Sequence, residues 1–459
     1  MEVRIMKKIT MFSVILLLAG SLMVFAAGNR QQASGSAPAS GGKVQITYTF
    51  WGTPDEASAV QKVADKFAGE QDKIQVTVMQ IPHDTYDEKL NTMAIANQLP
   101  DCGIMSEAST LQYATNGYLA DISGMYAAGE AKPLDSLAFK GPDGKTVAYS
   151  TANEILLLYY NKAMFDKAGV PYPPASADKA WTWDEFVANA KKLTFDSNGK
   201  TPNDAGFDPN NIVQYGAMVE NLTWQLEVWA LSNGSGFYNS NGTQVTINSD
   251  ASIEAIQKVA DLYLKDHVAP LSAGLTDDGI QRSIIAGTVA MATGGAWNVG
   301  TCLATARDQE GLNYGVAVLP KMKQLVTINT GGPNVVFSQG KNQKEAMEFL
   351  KWYAKEDNSW GLIQSGIWMP ILSSYYTDDA LTRKWVNNPN FPPYDEFKSA
   401  VVDFAANYAK PTSWYYTNNT VDFNNLLGSI LGEVWTGAKT ARDVITSNMA
   451  ALQRAHQGN

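Results

Sequence analysis

Strands and helices alternate along the chain from residue 44 onward, and this order limits the possible fold more than any other feature. Five segments carry the pattern, three with strand character and two with helical apolar spacing: Val44–Trp51, Asp55–Phe67, Ile74–Ile81, Tyr86–Ala96 and Cys102–Met105. A β-α-β-α-β order predicts a doubly wound α/β sheet with helices on both faces. Ligands bind such sheets at the carboxyl ends of the strands, so we expect site residues after Trp51 and after Met105.

The chain is too long for one ordinary domain. It has 459 residues, of which 45% are hydrophobic, and this is enough to bury a large core in two lobes. Ile155–Tyr160 is a continuous apolar run, which is typical of a strand buried on both faces. Ser252–Lys265 has the spacing of an amphipathic helix, and Thr182 followed by Glu185 predicts a capped helix start. The α/β pattern therefore continues into the second half of the chain.

The first 26 residues have the features of an export signal. Three basic residues open the chain before an apolar stretch over residues 9–24. Val24 and Ala26 stand at the −3 and −1 positions of a cleavage site, so we predict removal of residues 1–26 and a periplasmic protein. A membrane anchor is the alternative, but the stretch is shorter than the ~20 residues of a typical span. No cysteine follows it to carry a lipid, and the composition of residues 27–43 predicts a flexible linker.

The charge of the chain excludes some classes of partner. The formal net charge is −10, and it becomes −12 when residues 1–26, which carry a net +2, are removed. Nucleic acids and anionic lipids require a basic face, so neither is predicted as a partner. The absence of a basic patch favours a neutral ligand.

The sequence lacks the residue sets that carry catalysis or bind a cofactor or metal. Its three histidines do not stand at metal-ligand spacing, and no nucleophile-elbow motif occurs. Gly144-Lys145-Thr146 resembles the end of a phosphate-binding loop without its first glycine, and it predicts a turn. Asp196–Asp204 resembles part of a calcium loop without the terminal Glu; a polar turn is the preferred interpretation, and calcium is left open. Cys102 and Cys302 are predicted to be buried and unpaired in different lobes.

Aromatic residues are abundant in predicted loops. The chain has 12 tryptophans and 20 tyrosines, and Trp51, Trp297 and Trp368 each have a glycine nearby in the sequence. Such a residue can pack between lobes, contact a partner or form a ligand platform. Sugar rings present C–H faces that stack on flat aromatic rings, while their hydroxyls need hydrogen-bond partners. Several tryptophans at loop ends therefore favour a sugar site.

Seven short motifs occur in an order that resembles a known family. They are Pro100-Asp101, Asn116–Ile122, Glu154–Lys162, Gly169–Pro171, Trp183–Phe186, Gly287–Trp297 and Asn313–Pro320. In this order the chain resembles extracellular solute-binding proteins of the maltose-binding, sugar-importing type, from about residue 44 to the C-terminus.

The resemblance implies the periplasmic-binding-protein type II fold, in which crossing hinge segments join two doubly wound α/β lobes around a ligand cleft. On this basis lobe I is residues 44–152 with 322–372, and lobe II is residues 153–321 with 373–459. The resemblance also implies a monomer that captures a sugar and delivers it to the permease subunits of an ABC importer in the inner membrane. Closure of the lobes would let the importer distinguish loaded from empty protein.

The resemblance also implies particular site residues. Trp297 matches the sugar-stacking tryptophan of the family, and Glu154 matches a cleft carboxylate that accepts hydrogen bonds from hydroxyls, although a helix cap or salt bridge is an alternative role. Trp224 stands where the family has an aromatic ring in the second lobe, and Trp229 is its rival.

Three further positions follow from the same comparison. Trp51 closes the first strand at the cleft edge, Glu107 lies after the third strand, and Trp368 lies near a crossing segment. The sequence Met105-Ser106-Glu107 departs from the maltose-binding pattern, so the ligand is expected to be a sugar other than maltose. The loop Trp414–Asn418 is expected to contribute a residue that the sequence does not single out.

Two other functions remain open at this point. Glu107 and Glu154 are a possible carboxylate pair of a secreted glycoside-acting enzyme. A binding protein for an amino acid or peptide would need a basic clamp for a carboxylate, which the expected site residues do not supply. A polyamine would suit the carboxylates and aromatic rings of the site.

Overall fold

The computed structural model describes residues 42–51, 54–82, 85–270, 283–299, 303–364, 366 and 368–458, with side chains left undescribed at 54–56, 59, 305, 356, 359 and 362. The predicted signal peptide, nearly all of the predicted linker, and Cys302 lie outside these residues. None of the helices among the described residues is both long enough and apolar enough to cross a bilayer.

Strands from both halves of the chain build two sheets. The strands are β1 (Val44–Trp51), β2 (Ile74–Ile81), β3 (Cys102–Ile104), β4 (Ala138–Lys140), β5 (Thr146–Ser150), β6 (Glu154–Asn161), β7 (Phe195–Asp196), β8 (Ile212–Met218), β9 (Val289–Gly295), β10 (Tyr314–Ala317), β11 (Thr327–Thr330), β12 (Pro333–Val336) and β13 (Ala409–Pro411).

Helices cover both sheets. They are α1 (Pro54–Glu70), α2 (Tyr86–Ile95), α3 (Glu107–Thr115), α4 (Lys162–Ala168), α5 (Trp183–Leu193), α6 (Thr223–Ser232), α7 (Asp250–Leu264), α8 (Ala304–Glu310), α9 (Gln343–Tyr353), α10 (Glu356–Gln364), α11 (Ser374–Thr377), α12 (Asp379–Val386), α13 (Tyr394–Phe397), α14 (Asp403–Tyr408), α15 (Thr420–Trp435) and α16 (Ala441–Gln457). A π-helical turn at Lys398–Val402 joins α13 to α14.

The first sheet has the order β2-β1-β3-β12-β5-β4. β1 lies parallel to β2 and β3, whereas β12 runs antiparallel to β3 and β5. Ile46, Tyr48 and Phe50 point to the core from alternate positions of β1, as the strand period requires. The doubly wound order predicted for residues 44–105 is confirmed.

The second sheet has the order β13-β11-β6-β9-β8-β7, and β10 also pairs with β6. All eight residues of β6 are buried, as its continuous apolar run predicts. Thr182 and Glu185 form the predicted capping box at the start of α5. Trp229 is 2% exposed and packs on Trp183 with 5.1 Å between ring centroids, so it belongs to the core of this lobe.

The chain crosses between the sheets at two places that lie side by side. It leaves the first sheet after Ser150 and enters the second at Glu154; it returns between Thr330 and Pro333. The expected boundary at 152/153 lies in the first crossing, whereas 321/322 lies ahead of β11, which still belongs to the second sheet. The segment around Met369 also lies beside the first crossing, because the Asn153 N–H donates to the Met369 carbonyl at 3.3 Å.

Cys102 is buried in β3 and forms no disulfide with any described residue. Burial raises the pKa of its thiol well above the ordinary value, which keeps the thiol protonated and unreactive. The expected burial is therefore confirmed for Cys102, while Cys302 lies outside the described residues and the expectation that the two cysteines are unpaired stays a prediction.

Candidate ligand-binding site

The carboxyl ends of the parallel strands place four expected residues on two sheet edges. In the first sheet, Trp51 ends β1, and Glu107 begins the helix after the parallel strand β3. In the second sheet, Trp224 and Trp297 follow β8 and β9, which are also parallel. Each pair therefore lies at the edge of its sheet that is formed by the carboxyl ends of the parallel strands, where α/β proteins bind ligands.

Antiparallel pairing brings Glu154 to the same edge of the second sheet. Glu154 begins β6, which runs against β9, and the Ala296 N–H donates to the Ile155 carbonyl at 2.9 Å. Trp297 therefore follows directly beside Glu154. On the other side, Thr330 at the end of β11 pairs with Glu154, and Thr412 follows β13 next in the sheet.

Glu107 links the edge of the first sheet to the return crossing. Its Oε1 accepts hydrogen bonds from the Thr330 hydroxyl and from the Gly331 N–H, the latter at 2.7 Å. Thr330 is also the strand partner of Glu154, so the structure brings both expected carboxylates to the same crossing. Its bonds to the crossing give Glu107 a role in holding the two sheets together.

Glu154 is a buried carboxyl group, and only one of its two oxygens has a hydrogen-bond partner among the described residues. It is 5% exposed, and its Oε1 accepts a hydrogen bond from the Met369 N–H at 3.0 Å. Its Oε2 is buried and has no hydrogen-bond partner among the described residues. Burial outweighs the Met369 bond and raises the pKa to about 8, so the group is largely protonated at neutral pH.

Two buried amides extend the polar row beside Glu154. Asn329 Nδ2 donates to Asn153 Oδ1, which leaves Asn153 Nδ2 and Asn329 Oδ1 without a hydrogen-bond partner in the described part of the chain. One of the remaining atoms is a donor and the other an acceptor. Buried polar atoms without partners are rare in folded proteins, so this cluster requires a polar occupant or a bound water.

Trp51 and Trp297 both lie against glycine backbone. A Cβ added at Gly332 would be 2.5 Å from the Trp51 ring, and one added at Gly295 would be 2.1 Å from the Trp297 ring. Trp51 also meets Tyr86 edge-to-face with 5.4 Å between centroids. Because both rings are half-buried, they are held in place while part of their surface remains accessible.

Trp368 is half-buried and precedes Met369, whose N–H binds Glu154. Its ring lies 6.2 Å from that of Tyr353 in the first lobe. The structure thus brings Trp51, Glu107, Glu154, Trp297 and Trp368 to the crossing region, through strand pairing and the contacts described above.

Trp224 reaches this region through a residue that the sequence did not single out. Its ring packs against Trp414 with 5.2 Å between centroids and an angle of 37°. The Trp414 indole nitrogen is buried and finds no acceptor among the described residues. Thr412, which follows β13 two residues before Trp414, also has a buried hydroxyl without a hydrogen-bond partner among the described residues, so this wall of the site combines a flat ring with unused polar atoms.

Sequence reasoning missed several of these residues. Asn153 is adjacent to Glu154, so position next to an expected residue was the available signal. Asn329 and Thr412 carried no such signal, because only the pairing of β11 with β13 places them at the same sheet edge.

The acidic turn at Asp196–Asp204 is satisfied by its own backbone. Asp196 accepts hydrogen bonds from the N–H groups of Asn198, Lys200 and Asp208 at 2.8, 2.9 and 3.0 Å. Asp204 accepts from the Thr201 N–H and hydroxyl, both at 2.8 Å. Among the described residues no group of three or more His, Cys, Asp or Glu side chains is arranged to hold a metal ion.

A family profile of bacterial extracellular solute-binding proteins matches residues 62–393. The chain belongs to this family. The predicted family resemblance is therefore confirmed, and the family consists of binding proteins.

Relatives in the curated collections of sequences cover much of this solute-binding protein. A binding protein of Brucella abortus (strain 2308) is 24% identical over 345 residues, which span 73% of this chain and 76% of the relative. The sn-glycerol-3-phosphate-binding periplasmic protein UgpB of Agrobacterium fabrum is 28% identical over 263 residues, or 55% of this chain and 54% of that protein.

Solved structures share the fold over almost the whole chain. The cyclic α-maltosyl-1,6-maltose binding protein from Arthrobacter globiformis aligns with a TM-score of 0.73 and 22% identity, covering 91% of this chain and all of that one. An ABC solute-binding protein from Thermotoga lettingae, bound with α-D-tagatose, aligns with a TM-score of 0.72, 20% identity and 90% coverage of this chain. The predicted two-lobed α/β fold is confirmed.

Proposed function

We propose that this solute-binding protein captures a sugar between its lobes and delivers it to the permease of an ABC importer. One observation carries the proposal: half-buried tryptophan rings occur along one sheet edge and its crossing together with buried polar atoms that have no hydrogen-bond partner among the described residues. Sugars need both features, because their C–H faces stack on rings and their hydroxyls both donate and accept hydrogen bonds.

The polar atoms of the site suit hydroxyl groups. Asn153 Nδ2 donates, Asn329 Oδ1 accepts, and Glu154 Oε2 does either according to its protonation. The sugar ligands named for the structural relatives, a cyclic maltosyl-maltose and tagatose, support the same ligand class. The site-residue assignments to Trp51, Glu107, Glu154, Trp224, Trp297 and Trp368 are part of this proposal.

Phosphorylated glycerol is the competing ligand, because the UgpB relatives bind it. An anion would require a cationic or N–H-rich pocket, whereas the titratable side chains that the described residues bring to the crossing are the carboxyl groups of Glu107 and Glu154. Glycoside hydrolysis is disfavoured in turn, since Glu107 is engaged with Thr330 and Gly331. We therefore propose binding without turnover, by a periplasmic monomer.

The proposal is tested by calorimetric titration of the mature chain with a panel of mono- and oligosaccharides, sn-glycerol 3-phosphate and spermidine. We expect saturable binding of a sugar and a loss of roughly tenfold or more in affinity for Trp297→Ala, as removal of a stacked ring should cause. Trp352→Ala is the matched control, since this ring packs on Phe67 away from the crossing. Binding of glycerol phosphate or spermidine alone would contradict the sugar assignment.

A further inference from the structure

The segment Thr412–Thr417, here called the bridging segment, contacts both lobes. It follows β13 of the second sheet, yet Tyr415 is 4% exposed and belongs to the core of the first lobe. The Tyr415 ring stacks on Phe139 with 4.0 Å between centroids and an angle of 22°. Its hydroxyl is hydrogen-bonded to the Ser150 hydroxyl at 2.6 Å. One side of this segment is thus anchored in the first lobe.

The other side is anchored to the second lobe by one buried carboxyl group. Glu227, on α6, is 1% exposed, and its Oε2 accepts from the Ser413 N–H at 3.2 Å and from the Ser413 hydroxyl at 2.9 Å. Its Oε1 accepts from the Tyr416 hydroxyl at 3.4 Å. Residues on both sides of Trp414 are therefore held by a single side chain.

Trp414 lies between these anchors and packs on Trp224, which is one turn of α6 before Glu227. The helix thus supplies both one ring of the pair and the carboxyl group that locates the other ring. Burial of a carboxyl group costs free energy because the group loses its hydration. The three hydrogen bonds from Ser413 and Tyr416 offset this cost, so the carboxyl group and the bridging segment stabilise each other.

We propose that Glu227 is a positioning residue of the ligand site: with Tyr415 it clamps the bridging segment to both lobes and so holds Trp414 against Trp224. The importance of this pair for sugar binding rests on the function proposed above, whereas the positioning itself does not. Glu227 acts through Ser413 and Tyr416 and makes no contact with the ligand in this scheme.

The test uses the mature chain and the far-ultraviolet circular dichroism of the tryptophan pair. Two indole rings in contact couple their electronic transitions and produce paired bands of opposite sign. Trp183 and Trp229 form a second such pair, so the bands of Trp224 and Trp414 are the part of the wild-type spectrum that Trp224→Phe removes. We expect Glu227→Ala to lose the bands and to bind its sugar roughly tenfold more weakly. Glu227→Gln should retain both properties, because the amide can still accept from Ser413 and can donate to the Tyr416 oxygen.

A second variant tests the same contacts independently, in case Glu227→Ala fails to fold. The double substitution Ser413→Ala with Tyr416→Phe removes both side-chain donors and leaves Glu227 in place, and it should also lose the bands. Bands of wild-type strength in both variants, or a wild type whose spectrum Trp224→Phe does not change, would overturn the positioning role. If no sugar binds to the wild type, the proposed function fails, while the spectra still decide whether Glu227 positions the pair.

Discussion

Substitution of Glu154 by Gln should remove a large pH dependence from the stability of the protein. Burial raises the pKa of this carboxyl from 4.5 to about 8 in the folded state. A raised pKa means that the folded state binds the proton more tightly than the unfolded state does. The stability contributed by this proton is fully present below pH 4.5 and is lost as the pH rises through about 8.

The magnitude follows from the two pKa values. Between pH 4 and pH 8, the difference between 4.5 and about 8 corresponds to about 4 kcal/mol of lost unfolding free energy. Gln has the shape of the protonated acid, and its carbonyl can keep the hydrogen bond from the Met369 N–H. The unfolding free energy of the Gln variant should therefore be closest to that of the wild type at low pH. It should exceed the wild-type value by a growing amount as the pH rises.

Urea denaturation of both proteins at several pH values between 4 and 8 measures this difference directly. The difference in unfolding free energy between Glu154→Gln and wild type should grow with pH. Glu185→Gln is a control of opposite sign, because backbone hydrogen bonding at Thr182 lowers the pKa of Glu185, so its contribution is lost as the pH falls. Parallel stability curves for wild type and Glu154→Gln would refute the burial argument.

Three other changes test separate parts of the structure. Gly332→Ala should lower stability by about 1–3 kcal/mol in thermal unfolding, because its methyl group would collide with the Trp51 ring; an unchanged melting temperature would refute that contact. Trp229→Ala should cost about 3–5 kcal/mol, because this ring is buried in the core, and a variant of wild-type stability would contradict that placement. Addition of calcium or of a chelator should leave the melting temperature unchanged, because backbone N–H groups already engage Asp196; a calcium-dependent rise would contradict this expectation.

Much of the fold was predictable because the signals were local. The alternation in β1, the apolar run of β6 and the capping box at Thr182 and Glu185 each depend on residues a few positions apart. The rule that parallel strands share a carboxyl edge then placed Trp51 and Trp297 near the site. The motif order added Glu154 and Trp224, which no local period would have selected.

The residues that complete the site were not predictable in this way. Trp414 lies in a three-residue 3-10 turn, Asn329 lies in the four-residue strand β11, and Thr412 follows the three-residue strand β13. These elements are too short to show a period from which orientation could be inferred. The sequence also did not indicate that β11 pairs with β6 and β13 before the chain returns to the first sheet.

The sequence by itself determined the doubly wound α/β pattern, since helix and strand periods depend on near neighbours. The order of its family motifs added the two lobes and the sheet ends where we propose that a ligand binds. Only the tertiary structure decided that the Tyr415 side chain lies in the first lobe and that Glu227 holds Ser413, 186 residues away. Such contacts depend on how distant elements pack. For the same reason, only the packed structure identifies the polar atoms of Glu154, Asn153 and Asn329 that have no hydrogen-bond partner among the described residues.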